Sequence, residues 1–148
     1  MNYQSPVEYK NSGVRAAAVY CSDGRFAAQC EDFLRNGLGI DRCDLIVLPG
    51  GPARLAGYDD PAFEKNAVLD ELAFLVEAHA LERIILIQHD DCGFYQHQLG
   101  ISADELRPLQ NTDVARAAEA VSETTGLTNV ECYCAVVTDT GISFEPMS

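Results

Sequence analysis

Four apolar runs punctuate the chain at wide intervals: Val14 to Tyr20, Asp44 to Leu48, Arg83 to Gln88 and Val130 to Thr138. Each is the length of a β-strand, and near-continuous apolar character predicts strands buried on both faces. Between them lie amphipathic stretches. Arg25 to Asn36 reads as a helix with Phe26, Cys30, Phe33 and Leu34 on one side, ended by Gly37 and Gly39. Pro61 to Ala80 reads as a long helix, with Pro61 in its first turn and Phe63, Ala67, Leu72, Phe74, Leu75 and Ala78 as apolar positions. A third helix is predicted over Asp113 to Thr124, and Ile142 to Phe144 forms a short fifth strand. Alternating strands and helices predict an α/β fold: one domain, with a mostly parallel central sheet of four to five strands flanked by helices. The domain is expected to span 1–148, with 1–13 as a polar N-terminal segment.

The 148 residues carry 23 acidic and 10 basic side chains, a formal net charge of -13. Such a surface repels nucleic acid and anionic lipid, so neither is an expected partner. No apolar run approaches the ~20 residues that span a bilayer. The polar N-terminus lacks the apolar stretch of a secretory signal, and the expected location is a reducing cytoplasm. The six cysteines are then free thiols or metal ligands, not a disulfide framework.

Ligands of parallel sheets bind beyond the carboxyl ends of strands. Two motifs lie there: Cys21-Ser22-Asp23-Gly24-Arg25 after the first strand, and His89-Asp90-Asp91-Cys92-Gly93 after the third. If the two strands are neighbours, Cys21, His89 and Cys92 converge. Taken singly, each is equally a packed core residue. Together they are the thiolate and imidazole donors that zinc prefers in a tetrahedron, with the fourth position free. Structural zinc sites usually use paired C-x-x-C ligands, which this chain lacks, so an open coordination sphere is expected.

In order and spacing these motifs resemble those of the β-class carbonic anhydrases, which carry C-x-D-x-R and then H-x-x-C. The resemblance implies a Zn2+ cofactor held by Cys21, His89 and Cys92, and reversible hydration of carbon dioxide to bicarbonate by a zinc-bound hydroxide. It implies catalytic roles for Asp23 and Arg25. Asp23 would accept a hydrogen bond at the metal, held by a two-pronged pair with Arg25. If that pair breaks, Asp23 becomes the fourth ligand of a closed state. A homodimer or higher homo-oligomer is also implied.

The chain departs from the family pattern after its second strand. Many members carry Arg-Asn-Ala-Gly-Asn there, and this sequence reads Leu48-Pro49-Gly50-Gly51-Pro52-Ala53-Arg54. The glycines can offer backbone N–H groups to an anion, whereas the prolines cannot. Two other readings stay open. The same zinc site can serve another linear substrate, carbonyl sulfide or carbon disulfide, or a non-catalytic zinc module. His97 is read as a surface residue, His79 as a helix-end cation, and Cys132 and Cys134 as strand packing.

Overall fold

The computed structural model describes residues 1–58 and 64–147. Five strands, β1 (Ala16–Tyr20), β2 (Cys43–Val47), β3 (Arg83–His89), β4 (Val130–Thr138) and β5 (Gly141–Pro146), form one sheet in the order β2-β1-β3-β4-β5. The first four pair in parallel, and β5 returns antiparallel to β4. This is the predicted α/β architecture, with the fifth strand closing one edge.

The pleat divides the core. Ala17, Val19, Ile84 and Leu86 face one side, where helices α2 (Lys65–His79) and α3 (Ala103–Thr125) cover them. Ala18, Tyr20, Ile85 and Ile87 face the other, against α1 (Ala27–Asp32) and the π-helical turn that follows it. Residues of alternating parity serve opposite layers, so β1 and β3 read as continuous apolar runs.

The helices differ from expectation in three ways. The first is short: α1 ends at Asp32, and Phe33–Gly37 widens into a π turn. Its expected apolar face is otherwise correct, with Phe26, Cys30 and Leu34 buried. In α2 the buried face is Val68, Leu69 and Leu72, while Phe74 is 67% exposed and Ala67 and Ala78 are exposed too. The Val68, Leu69, Leu72 spacing meets the sheet, and Phe74 falls outside that arc. Pro61 and Phe63, assigned to this helix from sequence, lie outside the described residues. Third, α3 begins ten residues before the predicted Asp113, at Ala103. A capping box starts it: the Ser102 side chain takes the N–H of Glu105, and the Glu105 carboxylate takes the Ser102 N–H. Pro108, the sixth residue of the helix, has no N–H to give to the Asp104 carbonyl and so removes one intrahelical hydrogen bond.

Among the described residues no helix is long and apolar enough to cross a membrane.

Candidate metal centre

Tyr20 is aligned with Val47 on one side and Ile87 on the other, so the three strands end side by side. Cys21 is the first residue beyond β1, and His89 is the last of β3. Asp91 then adopts a left-handed conformation (φ +53°), which turns the chain so that Cys92 comes back to the strand ends. The Sγ atoms of Cys21 and Cys92 and a ring nitrogen of His89 all lie within 4.8 Å of one another. The three residues are 9%, 0% and 3% exposed.

The His89 ring is held in one tautomer. Its Nδ1 lies 2.6 Å from the Asp90 carbonyl oxygen, which can only accept, so Nδ1 carries the proton. Nε2 is left with a lone pair, buried and without a hydrogen-bond partner. An orphaned buried acceptor costs stability unless something satisfies it, and a cation among the two sulfurs would do so. Phe26 packs on the ring at a tilt of 36° with centroids 4.3 Å apart, and Gln110 Nε2 donates to the His89 carbonyl at 2.8 Å. The residue on which the ligand sits is thus fixed from three directions.

The two thiols behave as a pair. Cys21 is pulled well below the ordinary thiol range, first by a hydrogen bond with Cys92 and then by the N–H groups of Gly50 and Asp23, against the penalty of burial. Cys92 is pushed up, first by that same bond and then by burial. Cys21 therefore holds the negative charge, and Cys92 keeps the shared proton until a cation displaces it. Two sulfurs and a neutral imidazole, all buried, suit zinc.

Asp23 and Arg25 lie at the rim. Arg25 Nε donates to both Asp23 oxygens at 3.1 Å, Nη2 donates to Oδ2 at 2.7 Å, and the Arg25 backbone N–H reaches Oδ1 at 3.0 Å. Those bonds, chiefly from the guanidinium, hold the Asp23 carboxyl down at about 2. Asp23 is turned toward Arg25 and is not part of the group of mutually close metal donors. Arg25 also reaches the second motif, with Nη1 on Asp91 Oδ2 at 3.0 Å and Nη2 on the Asp91 carbonyl at 3.2 Å.

The divergent loop after β2 becomes a short 3-10 turn, Gly51–Leu55. Of its two glycines one does offer its N–H to an anionic centre, and the recipient is the Cys21 sulfur, 3.4 Å from Gly50 N. The Gly51 N–H is spent on Leu48. Gly51 has φ +50°, and a Cβ there would lie 2.7 Å from Cys21 N, so the loop presses directly on the ligand's backbone. Ala53 from this loop joins Cys21, Cys92, Phe94, Tyr95 and Leu106 in an apolar cluster around the sulfurs.

Behind the cluster is a buried polar chain. Gln88 donates to the Tyr95 hydroxyl (3.0 Å), and Tyr95 and Tyr58 both donate to Asp113 Oδ2 (2.8 and 2.5 Å). Burial raises the Asp113 carboxyl, with the two hydroxyls working against it. Gln110 and Asp113 stand one turn apart on α3. Neither was singled out from sequence, and the signal that could have found their helix is the Ser102-x-x-Glu105 capping box. His97 is exposed, as expected. His79 closes α2 with Nδ1 2.6 Å from Asp44.

A family model described as "Putative carbonic anhydrase" matches residues 11–140. Among solved structures, the fold is similar to a β-carbonic anhydrase, isoform I, from the protozoan Trichomonas vaginalis: TM-score 0.61 at 14% identity, over 97% of this chain and 87% of that one. A β-carbonic anhydrase of the filamentous fungus Aspergillus fumigatus aligns over 98% of this chain and 95% of its own, at 16% identity and a TM-score of 0.49. No curated protein matches the sequence. At such identities the likeness to solved structures is one of fold.

Proposed function

Because this chain belongs to the family described as "Putative carbonic anhydrase", we propose that it catalyses the zinc-dependent, reversible hydration of carbon dioxide to bicarbonate. The observation that carries the proposal is the buried donor group itself, in which His89 Nε2 has a lone pair and no partner. Cys21, His89 and Cys92 would hold the metal. When bound, zinc supplies Lewis acidity that makes water a competent nucleophile near neutral pH.

The protein's own groups shape that chemistry. Two thiolates donate more charge than imidazoles and so work against Lewis acidity. The Gly50 N–H drains charge from the Cys21 sulfur and partly offsets this. Asp23, ionised well below neutral pH, is an acceptor that takes a hydrogen bond from the attacking water and aims its lone pair. Arg25 holds that acceptor in place from its other side. The apolar cluster of Ala53, Phe94 and Leu106 beside the sulfurs suits an uncharged substrate.

Stopped-flow carbon dioxide hydration, run on protein of measured zinc content, tests the reading. Activity proportional to zinc and lost in Asp23→Ala supports it. Zinc-loaded protein that is inert toward carbon dioxide overturns it. Turnover of carbonyl sulfide by that protein would then assign the site to another linear substrate.

A further inference from the structure

We propose that Asp91 is a positioning residue: it anchors the outer edge of Arg25 and so keeps the Asp23 carboxylate paired with Arg25 and away from the metal. The inference rests on the zinc-centre reading, in which Asp23 is both the site's acceptor and a competing ligand for the open position.

Three features single out Asp91. First, its backbone is left-handed at φ +53°, one of three non-glycine residues with positive φ among those described. That conformation is unfavourable for residues with a Cβ, though aspartate tolerates it better than most. Second, the turn aims two acceptors at one guanidinium. Arg25 Nη1 donates to Asp91 Oδ2 (3.0 Å) and Nη2 to the Asp91 carbonyl (3.2 Å). Third, the carboxylate is held from behind, with Gln96 Nε2 on Oδ1 at 2.8 Å.

The donor count shows what this does. Asp23 uses Nε and one N–H of Nη2, along the inner edge of the guanidinium. Asp91 uses Nη1 and the other side of Nη2, along the outer edge. With both edges held, the planar fork has one orientation. Arg25 is otherwise open to water, its side chain 60% exposed. Without Asp91 the outer edge is solvated, the side chain regains rotamers, and Asp23 loses a fixed partner. Because Arg25 is so exposed, the effect is a shift in population of a few-fold.

The test uses full-length protein loaded with cobalt(II), whose visible spectrum reports its ligands, and titrates it with thiocyanate as a probe of the open position. Two variants separate the roles of backbone and side chain. Asp91→Gly keeps the left-handed turn and removes the carboxylate. Asp91→Asn keeps the turn and an acceptor for Arg25. We expect Asp91→Gly to bind cobalt stoichiometrically and to bind thiocyanate about two- to five-fold more weakly, because Asp23 occupies the metal more often. Asp91→Asn should restore affinity to within about two-fold of wild type, since its acceptor survives. Thiocyanate affinity in Asp91→Gly equal to or tighter than wild type overturns the proposal. Wild-type protein that takes up no cobalt and shows no thiolate-to-metal band overturns the zinc-centre reading itself, and the proposal with it.

Discussion

Replacing Gly51 with alanine should damage both the fold and the metal centre, because the loop after β2 has no slack. Gly51 sits at φ +50°, where a Cβ costs about 1 kcal/mol. The added carbon would lie 2.7 Å from Cys21 N, 2.7 Å from the Tyr20 carbonyl carbon and 3.0 Å from Tyr20 Cα. These are backbone atoms at the end of β1 and cannot rotate away. The loop would have to shift instead, yet it is tied down: Leu48 N–H bonds to Tyr20, Ser22 N–H to Leu48, and Gly51 N–H to Leu48. Overpacking of this kind costs about 1–3 kcal/mol, so the sum is about 2–4 kcal/mol. In a domain of this size that lowers Tm by roughly 5–15 °C. Any outward shift also draws the Gly50 N–H off the Cys21 sulfur, and loss of such outer support typically weakens metal affinity ~10–100-fold. Thermal unfolding of the metal-free protein reads the first effect, and zinc competition against a chromophoric chelator reads the second. Gly24→Ala is the control, because nothing lies within 4 Å of a Cβ there and its φ is not left-handed. Its stability should stay within about 0.5 kcal/mol. Gly51→Ala with wild-type Tm and zinc affinity would refute the reasoning.

Substitutions at two further positions probe the polar layer behind the site. Burial raises Asp113 above its ordinary 3.8, so the folded state prefers the protonated acid. Its contribution favours folding at pH below 3.8 and is lost as pH rises through the folded value, by at most about 1.4 kcal/mol per pH unit. Asp113→Asn removes that dependence, so urea unfolding from pH 4 to 8 should show the variant gaining on wild type as pH rises; parallel curves would contradict this. Gln110→Ala removes the donor to the buried His89 carbonyl and should cost about 1–3 kcal/mol. Gln110→Leu should cost less, since both variants lose the amide but leucine keeps most of the side-chain volume at this fully buried position. Equal melting temperatures for the two variants would count against that distinction.

The sheet was legible because burial on both faces writes itself as unbroken apolar runs. Val14–Tyr20 and Arg83–Gln88 are such runs, and Cys21 and His89 are the first residues beyond them. What eluded the sequence depends on three-dimensional neighbours. Phe74 is apolar yet exposed, because helix phase is set by contact with the sheet and not by the count of apolar residues. The first half of α3 is polar at Asp104, Glu105 and Arg107 and contains Pro108, so periodicity is weak there and only the capping box marks its start. Asp91 stood inside a recognised motif, but its grip on Arg25 joins residues 66 positions apart and has no local signature. The Pro-Gly loop offered backbone donors without saying to what; adjacency of β1 and β2 made the recipient Cys21.

The most direct test of the central claim is zinc K-edge X-ray absorption on purified protein of known metal content. The account predicts one zinc per chain with two sulfurs at about 2.3 Å and one imidazole nitrogen at about 2.0 Å, plus a fourth light atom. Protein without stoichiometric metal, or a zinc shell lacking two sulfurs, would contradict it.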